Sequence, residues 1–350
     1  MFCINTPAQA HTWRYVIDDL SRKGHNVQIS ARDYGSTIEL LTAFKFQYDS
    51  FKPITRRSIR LLEIIVHIRN GRELCKKFKP TIIIGFGVDA AIEAVLLGKP
   101  CIVFTDSEPV GIQNTLIKIF SDAIITPARF NMNLGKKQLR INSFKELAYL
   151  HPSYFQPDPS IYDELNIKRE EKYVILRFNV FDAVHDIGRH GFSRDDQCHL
   201  LNEISKYAHV FISPEAKLPD ELEKYRLPIA YNRIHHALYY ATLLVTDTGT
   251  MATEAAVLGT PVILCLSNYM EFGNFLELEQ KYALLYAFDE PKKAIDKAVE
   301  VIQQTDLKGK WAKKREKLLA DKIDVTQFMV DFIENYPDSF QNYKNQSKKR

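Results

Sequence analysis

The sequence predicts an α/β protein of two doubly wound, Rossmann-like domains, each a parallel sheet covered by helices, facing each other across a cleft. Three observations predict this fold. Strand-like and helix-like segments alternate along the chain, which is typical of parallel sheets. The length of 350 residues exceeds one ordinary core. Two stretches also share one layout of strand, glycine turn, Ala-rich helix, Gly, Pro and strand: TIIIGFGVDAAIEAVLLGKPCIVF at 81–104 and LLVTDTGTMATEAAVLGTPVILC at 243–265.

The first half of the chain is predicted to form one domain, residues 1–150. Apolar runs predict strands near 1–4, 26–30, 46–49, 81–85, 101–105 and 122–125. Helical periodicity predicts helices near 9–22, 36–44, 56–78, 88–98 and 110–119. Between about 127 and 160 the periodicity weakens and prolines cluster, at Pro127, Pro152, Pro157 and Pro159. This stretch is the predicted connection between the domains.

The second half is predicted to form a domain over residues 151–323. Its strands are expected near 173–177, 209–212, 228–230, 243–246, 261–265 and 284–287. Its helices are expected near 194–207, 233–241, 250–258, 273–280 and 290–304, with two more near 309–320 and 324–335. The segment 324–350 then holds a helix that can pack back on the first domain, followed by a polar, basic tail expected to fray from Pro337.

Composition excludes several classes of function. Apolar residues make up 45% and charged residues 26%, as in soluble globular proteins. The net charge of +4 is too small for a nucleic-acid-binding face. Five cysteines without CxxC pairing argue against a disulfide framework or a zinc site. No secretory signal or apolar run of about 20 residues is present. We therefore expect a cytoplasmic protein without metal or cofactor, of undetermined oligomeric state.

The most informative segment follows the apolar run at 243–245. Residues 246–250 supply hydroxyls, one glycine and backbone N–H groups, and a helix is expected to begin near Met251 with Glu254 in its first turn. A helix N-terminus after a parallel strand favours an anion, and a nearby carboxylate can accept hydrogen bonds from a diol. The alternative is that Thr248 or Thr250 only caps the helix and Glu254 is a favourable first-turn charge. Spacing alone leaves both interpretations open.

Two segments carry a resemblance to known proteins. TPAQAHTWRYVIDDLSRKGHNVQI at 6–29 resembles the opening of the two-domain GT-B glycosyltransferases. The 243–264 stretch resembles the nucleotide-sugar site of that superfamily and of the non-hydrolysing UDP-N-acetylglucosamine 2-epimerases. Over nearly its full length the chain resembles one prokaryotic family of that superfamily, a domain of unknown function described only as a predicted glycosyltransferase. The residues are INTPAQAH at 4–11, ARDYGSTIELL at 31–41, FTDSEP at 104–109, AYLHPSYFQPDPS at 148–160, VILRFNVFDAVHDIG at 174–188, TMATEAAVLGTPVI at 250–263 and FGNFLELEQKYALLY at 272–286.

The resemblance implies roles for individual residues. Thr248 stands where the superfamily has Ser, and Gly249 matches its first Gly, whereas Thr250 replaces the second Gly and makes the turn less open. Glu254 matches the glutamate that holds the ribose hydroxyls. His11 matches a histidine that acts as general base in some GT-B enzymes.

The epimerase resemblance concerns other positions. Asp89 and Asp106 lie in loops comparable to those that carry acidic catalytic residues there, but FTDSEPVG departs from the epimerase pattern V-E-A-G-L-R. Arg177 stands near the catalytic histidine region of the epimerases, so that base is not evident here.

Several candidates are also suggested by their residue type. Asp106 and Glu108 follow a predicted strand directly, which suits a general base or a hydroxyl-binding pair, although a solvated turn fits as well. Arg177 ends an apolar run, and its planar fork suits a diphosphate; a structural ion pair is the alternative. His11 at a helix start could take a proton or simply cap the helix. The secondary candidates are Asp89, Glu108, His185, Ser213 and His235.

Two of these candidates need a further alternative. His185 lies in the polar loop FDAVHDIGRHG, which suits closure over a ligand; its spacing from His190 lacks the further ligands that a metal needs. His235 could present backbone to a base ring, whereas capping or core packing is the alternative.

Residues 52–79 combine lysines and arginines with aliphatic side chains. Such a basic amphipathic helix can lie on an anionic membrane and reach a lipid-linked acceptor. The alternative is a solvated helix that packs its apolar stripe on the sheet.

The sequence therefore predicts a metal-independent GT-B glycosyltransferase that takes a sugar from a nucleoside-diphosphate sugar, with UDP expected, for an unknown glycan or lipid-linked acceptor in cell-surface polysaccharide synthesis. The second domain would hold the donor through Thr248, Gly249, Thr250, Glu254 and Arg177, and the first domain would hold the acceptor, with His11 or Asp106 as base. The alternatives are a sugar-nucleotide 2-epimerase and a catalytically silent subunit that binds a nucleotide sugar or a lipid sugar.

Overall fold

The computed structural model describes residues 1–52, 73–74, 76–109, 111–179, 191–214 and 217–347. The chain divides into two compact units. Unit 1 comprises Met1–Tyr149 and Ile323–Arg350, and unit 2 comprises Leu150–Lys322. Each unit is an α/β body with one parallel sheet. The predicted class, two parallel-sheet α/β domains, is confirmed.

Unit 1 contains the described strands β1 to β7 in a single sheet. They are β1 (Phe2–Ile4), β2 (Ile29–Arg32), β3 (Asp49–Phe51), β4 (Ile83–Phe86), β5 (Cys101–Phe104), β6 (Ala123–Pro127) and β7 (Gln138–Ile141), in the spatial order β3-β2-β1-β4-β5-β6-β7. The helices are α1 (Pro7–Arg22), α2 (Thr37–Ala43), α3 (Val88–Leu97), α4 (Gly111–Phe120) and α5 (Leu147–Leu150), which ends across the division. Buried Trp13 of α1 packs against Phe2, Phe86 and Phe104 of three strands, with ring centroids 5.1–5.2 Å apart.

Unit 2 contains the described strands β8 to β12. They are β8 (Tyr173–Arg177), β9 (His209–Ile212), β10 (Leu243–Thr246), β11 (Val262–Cys265) and β12 (Leu285–Phe288), in the spatial order β12-β11-β10-β8-β9. The helices are α6 (Ile161–Glu164), α7 (Arg194–Ile204), α8 (Ile234–Tyr240), α9 (Gly249–Leu258), α10 (Gly273–Gln280), α11 (Pro291–Ile302) and α12 (Leu307–Asp321).

The last two helices, α13 (Val325–Glu334) and α14 (Asp338–Ser347), return to unit 1. Helix α13 packs against α1. The prediction that the tail frays from Pro337 is wrong, because α14 is held by aromatic contacts: the ring of Tyr343 lies 5.0 Å from that of Phe328. Tertiary packing here overrides a polar sequence.

Two other elements differ from the predicted set, and a third is largely untested. Strand β7 was not predicted, because its pattern QLRI contains only two apolar residues. The strand predicted at 228–230 is absent from the described sheet; only Arg226 bridges to Ile212, and Pro228 has no N–H to donate. Most of the predicted helix 56–78 lies outside the described residues. In the part of the chain that the structure describes, no helix is both long enough and apolar enough to span a bilayer.

The strand orders define one switch point in each sheet. In unit 1 the order reverses between β1 and β4, and in unit 2 between β8 and β10. Ligands of doubly wound sheets bind beyond the carboxyl ends of the strands at such points. The residues after β1, β4, β8 and β10 are therefore the first positions to inspect for function.

Candidate functional site

Helix α9 begins directly beyond β10, at the switch point of the unit 2 sheet. Thr248 is its N-cap residue, but the Thr248 side chain accepts no capping hydrogen bond; its hydroxyl lies 2.8 Å from that of Thr246. The first turn of α9 carries no acidic residue. The N–H groups of Gly249, Thr250 and Met251 have no acceptor inside the helix. This end of α9 is a positive pole suited to an anion.

The start of α9 corrects the sequence prediction by two residues. The helix begins at Gly249, not near Met251, since Thr248 already has extended N-cap dihedral angles of φ −108° and ψ 129°. Gly249 is required there because a Cβ at this residue would lie 2.8 Å from Cζ of Phe275. Consequently Thr250 is the second helical residue and Glu254 lies beyond the first turn.

Glu254 is buried and forms an ion pair or hydrogen bond with a histidine. Its Oε1 lies 3.0 Å from Nε2 of His235, the second residue of α8. Both side chains are buried, and the ring of Phe155 lies edge-on to His235 at 6.4 Å. The two candidates, 19 residues apart, are thus brought together. His235 therefore orients the Glu254 carboxylate, for which the family resemblance implies a ribose-binding role.

Arg177 ends β8 beside β10, with its Cα in register with Thr246. Its guanidinium Nη1 donates to the carbonyl oxygens of Ser213 and Pro214, at 3.1 and 2.8 Å, and lies 3.3 Å from the Ser213 hydroxyl. The structure therefore brings Arg177 and Ser213 together beyond β8 and β9. The guanidinium is thus anchored on the chain that follows β9, at the carboxyl edge of the unit 2 sheet.

Asp247 is a residue that sequence reasoning missed. It is almost fully buried between β10 and α9, and its carboxylate accepts the N–H groups of Asn179, at 2.6 Å, and Phe192, at 3.3 Å. A Cβ at Gly191 would collide with this side chain. Its partners lie 68 and 55 residues away, so no local pattern could have revealed them. Asp247 holds the chain on both sides of the segment 180–190, which contains His185 and lies outside the described residues.

In unit 1, the switch point carries an amide and a carboxylate. Asn5, directly after β1, donates its side-chain N–H to Asp89 at 3.0 Å. Its backbone N–H donates to Gln9 Oε1 at 2.7 Å. Asp89 is the second residue of α3, so its negative charge lies at the positive end of that helix.

Asp106 lies one strand further along, beyond β5. It forms an ion pair with Lys145, which also bonds Glu146 at 2.6 Å. Although burial lowers it, the pKa of Lys145 is raised well above its ordinary value by these two carboxylates. Burial raises the pKa of Glu146 to about 7, with the Lys145 charge opposing. The proposed base at Asp106 therefore has a fixed cation beside it.

Glu108 and His11 are both buried in unit 1. Glu108 Oε1 accepts the Asn131 N–H at 3.3 Å. His11 is the fifth residue of α1, with its ring stacked on that of Tyr149 at 5.3 Å and edge-on to that of Phe44 at 5.4 Å. Thr6, not His11, caps the helix, since its hydroxyl accepts from the Gln9 N–H. The catalytic roles of His11 and Asp106 stay predictions.

A second missed group lies deeper in unit 1. Glu93 of α3 is buried, and its Oε2 accepts from the Cys3 thiol at 3.1 Å. Burial raises the pKa of Glu93 to about 7. Among the described residues, no group of three His, Cys, Asp or Glu side chains is placed to hold a metal ion.

The chain matches one protein family and is similar in fold to several solved structures. The model of a family described as "Protein of unknown function (DUF354)" matches residues 3–338. A search of curated proteins finds no match. Solved structures similar to the chain include UDP-GlcNAc 2-epimerase from Neisseria meningitidis bound to UDP-GlcNAc, with 14% identity, a TM-score of 0.64 and coverage of 95% of this chain and 98% of that one.

Two further solved structures widen the range of similar proteins. The S. aureus MnaA–UDP co-structure has 11% identity and a TM-score of 0.68, covering 97% of this chain and 96% of that one. Spinosyn rhamnosyltransferase SpnG complexed with spinosyn aglycone has 12% identity and a TM-score of 0.55, covering 95% and 99%. At these identities the similarity shows the fold, which is of the GT-B type.

Proposed function

The chain belongs to the DUF354 family of proteins of unknown function, and we propose that it is a glycosyltransferase using a nucleoside-diphosphate sugar, with UDP as the nucleotide. The observation that carries this proposal is the start of α9, at the switch point of the unit 2 sheet. This N-terminus has no side-chain capping hydrogen bond and no acidic residue in its first turn. That position favours a doubly charged diphosphate. Two similar solved structures, one bound to UDP-GlcNAc and one to UDP, support the choice of nucleotide.

The donor would be held by three groups of unit 2. The N–H groups of Gly249, Thr250 and Met251 bind the diphosphate oxygens. The carboxylate of Glu254, oriented by His235 at 3.0 Å, accepts hydrogen bonds from the ribose hydroxyls. Arg177 adds a cation at the same edge of the sheet.

In the reaction, the oxygen of an acceptor hydroxyl bonds to the anomeric carbon of the sugar. The bond between that carbon and the diphosphate oxygen breaks, and the diphosphate leaves with the electron pair. The hydroxyl proton passes to a base, for which His11 and Asp106 are the candidates. Charge grows on the leaving diphosphate, where the positive end of α9 stabilises it.

A sugar-nucleotide 2-epimerase is the second candidate. The observation that favours it is a set of carboxylates beyond β4 and β5 in unit 1: Asp89, Asp106 and Glu108. An epimerase needs acid and base groups on both faces of the sugar, whereas a transferase needs one base and an acceptor.

Calorimetry with UDP tests the donor site. Glu254→Ala should weaken UDP binding by roughly 1–3 kcal/mol through loss of charge-assisted hydrogen bonds. Glu254→Gln keeps the shape and should show a smaller loss. The control is Glu300→Ala, an exposed residue of α11 paired only with Lys297 in the described contacts. Equal UDP affinity in parent and Glu254→Ala would remove Glu254 from the site.

Product analysis with UDP-GlcNAc then separates the activities. A transferase releases UDP and joins the sugar to an acceptor, or slowly to water when none is supplied. An epimerase yields a new UDP-sugar without releasing UDP in net amount. Binding of the nucleotide sugar without either product would identify a silent binding subunit and overturn both enzymatic proposals.

A further inference from the structure

Helix α4 in unit 1 exposes two isoleucines on its outer side, among the polar residues Gln113, Thr115 and Lys118. Asn114 and Ile117 face the interior and are buried. On the opposite side, seven residues apart, Ile112 is 81% exposed and Ile119 is 57% exposed. Large aliphatic side chains that recur on one outward face indicate a contact surface. Single exposed aliphatic residues need no explanation, but two on one outward stripe do.

The neighbouring helix extends this apolar surface. Helix α3 packs against α4, and its C-terminal turn exposes Val95 by 50% and Leu96 by 40%. We define the α3/α4 patch by its four exposed aliphatic residues: Val95, Leu96, Ile112 and Ile119. Polar side chains at these four exposed positions would not lower the stability of the fold. The presence of aliphatic side chains there therefore indicates a contact with a partner.

Lysines border the α3/α4 patch. Lys137 donates its ammonium N–H to the carbonyl of Ile119 at 3.0 Å. The Lys118 side chain passes within 3.3 Å of the Cβ position at Gly135, beside exposed Lys136. On the other side of α3, the described residues Leu74 and Phe78 pack on the same core cluster as α3; the intervening Lys76 and Lys77 are exposed. Some of these cations stabilise helix C-termini, but that does not explain the aliphatic residues between them.

This charge pattern selects the kind of partner. The nearest exposed acid on α4 and its connection to β6 is Asp122, which accepts the Cys101 N–H at 2.8 Å. A second copy of the chain docked on the same patch would bring lysine against lysine, and this repulsion disfavours self-association. An anionic partner gains from every lysine instead. Aliphatic residues bordered by lysines are also the composition of surfaces that lie at the boundary between headgroups and acyl chains.

We propose that the α3/α4 patch docks unit 1 on an anionic bilayer, with the four aliphatic side chains entering the headgroup boundary and the lysines pairing with lipid phosphates. The patch consists of described residues outside the predicted 52–79 membrane segment, although Lys76 and Lys77 lie at its border. Binding to the bilayer needs no nucleotide, so this proposal stands apart from the proposed glycosyl transfer.

Vesicle flotation of the full chain tests the proposal. The parent should float with vesicles of phosphatidylcholine containing about 30% phosphatidylglycerol, and should stay unbound with phosphatidylcholine alone. The double variant Ile112→Ser/Ile119→Ser should lose about tenfold or more in partitioning. The double variant Lys118→Gln/Lys136→Gln should lose about 25-fold, since each lysine near an anionic surface contributes about fivefold.

Two controls make the outcome decisive. Met270→Ser removes an aliphatic side chain that is 68% exposed in unit 2 and should float like the parent. All variants should melt at the parental temperature, because the altered side chains are exposed. The proposal is overturned if the parent fails to float, or if the patch variants float equally well. It is also overturned if light scattering shows a parent dimer that Ile112→Ser/Ile119→Ser dissociates, since the patch would then be an interface between copies.

Discussion

Helices α3 and α9 occupy equivalent positions in the two units but differ at their N-termini. Each follows the strand that borders the switch point, and each ends on a left-handed glycine, Gly98 with φ 62° and Gly259 with φ 81°. Their second residues differ: Asp89 in α3 and Thr250 in α9. Helix α3 thus carries an acid in its first turn, whereas the first turn of α9 carries none. This difference is one reason why we propose a diphosphate at the start of α9.

Each helix also carries one buried glutamate, and the two glutamates have different partners. Glu93 in α3 meets a thiol, Cys3, whereas Glu254 in α9 meets an imidazole, His235. A thiol offers a weak donor and no charge, while an imidazole can orient and neutralise a carboxylate. We infer that unit 2 binds the donor and that the carboxyl edge of unit 1 serves the chemistry. Four experiments test this inference.

The largest expected effect is on turnover. His11→Ala or Asp106→Asn should lower the rate of sugar transfer by about 100- to 10,000-fold while UDP affinity stays near that of the parent, as expected for loss of a base. Steady-state kinetics and calorimetry measure the two quantities. Because Asp106 pairs with Lys145, melting curves must show that the variant is folded. A parallel fall in UDP affinity would place these residues in donor binding instead.

A graft of the α3 residue onto α9 should have the next largest effect. Thr250→Asp puts a carboxylate where Asp89 stands in α3, and repulsion from the diphosphate should weaken UDP binding by about 100-fold or more. Thermal stability should hold or rise, since an acid at a helix N-terminus is favourable. Thr250→Asn has the same shape without the charge and should bind UDP within about threefold of the parent. If the Asp and Asn variants bind equally, the diphosphate does not lie at this helix end.

The third experiment concerns Glu93 and pH. Burial raises the pKa of this carboxyl from 4.5 to about 7, with the Cys3 hydrogen bond opposing. The folded state prefers the neutral form of Glu93. The contribution of this carboxyl to the free energy of unfolding is therefore fully present below about pH 4.5. It is lost as pH rises towards 7, by up to about 3 kcal/mol. Glu93→Gln keeps a neutral acceptor and should melt progressively higher than the parent from pH 5 to pH 8. A constant difference across this range would contradict the raised pKa.

The smallest expected effect is that of a chelator. If the positive end of α9 and Arg177 stabilise the leaving diphosphate, turnover should persist in EDTA within about twofold. Complete loss of turnover, restored by magnesium or manganese, would show that α9 does not suffice for the leaving group.

The contrast between the two helices also shows what sequence could reveal. The strand–turn–helix repeat, and with it the two parallel sheets, was predictable because apolar periodicity and Gly–Pro punctuation are local signals. Strand β7 was not, since two of its four residues are polar. The start of α9 was misplaced because Gly249 begins the helix under Phe275, 26 positions later in the chain.

Part of the candidate site was also predictable from local sequence, and part was not. Thr248 to Glu254 could be chosen from residue type and spacing, because they share one turn and one helix. The His235–Glu254 contact and the Asp247 hydrogen bonds to Asn179 and Phe192 depend on the fold bringing distant segments together. No pattern within a short window contains that information.

The division of the chain has a consequence for how the protein can be taken apart. Unit 2 is one continuous stretch, Leu150–Lys322, whereas unit 1 is completed by Ile323–Arg350. Helix α13 contributes buried Phe328, Met329 and Phe332 to unit 1, and Thr326 donates its hydroxyl to the Ala148 carbonyl at 2.8 Å. Along the chain, unit 2 therefore lies between the two segments that form unit 1. A chain that ends at Lys322 therefore keeps every residue of unit 2 and lacks part of the core of unit 1.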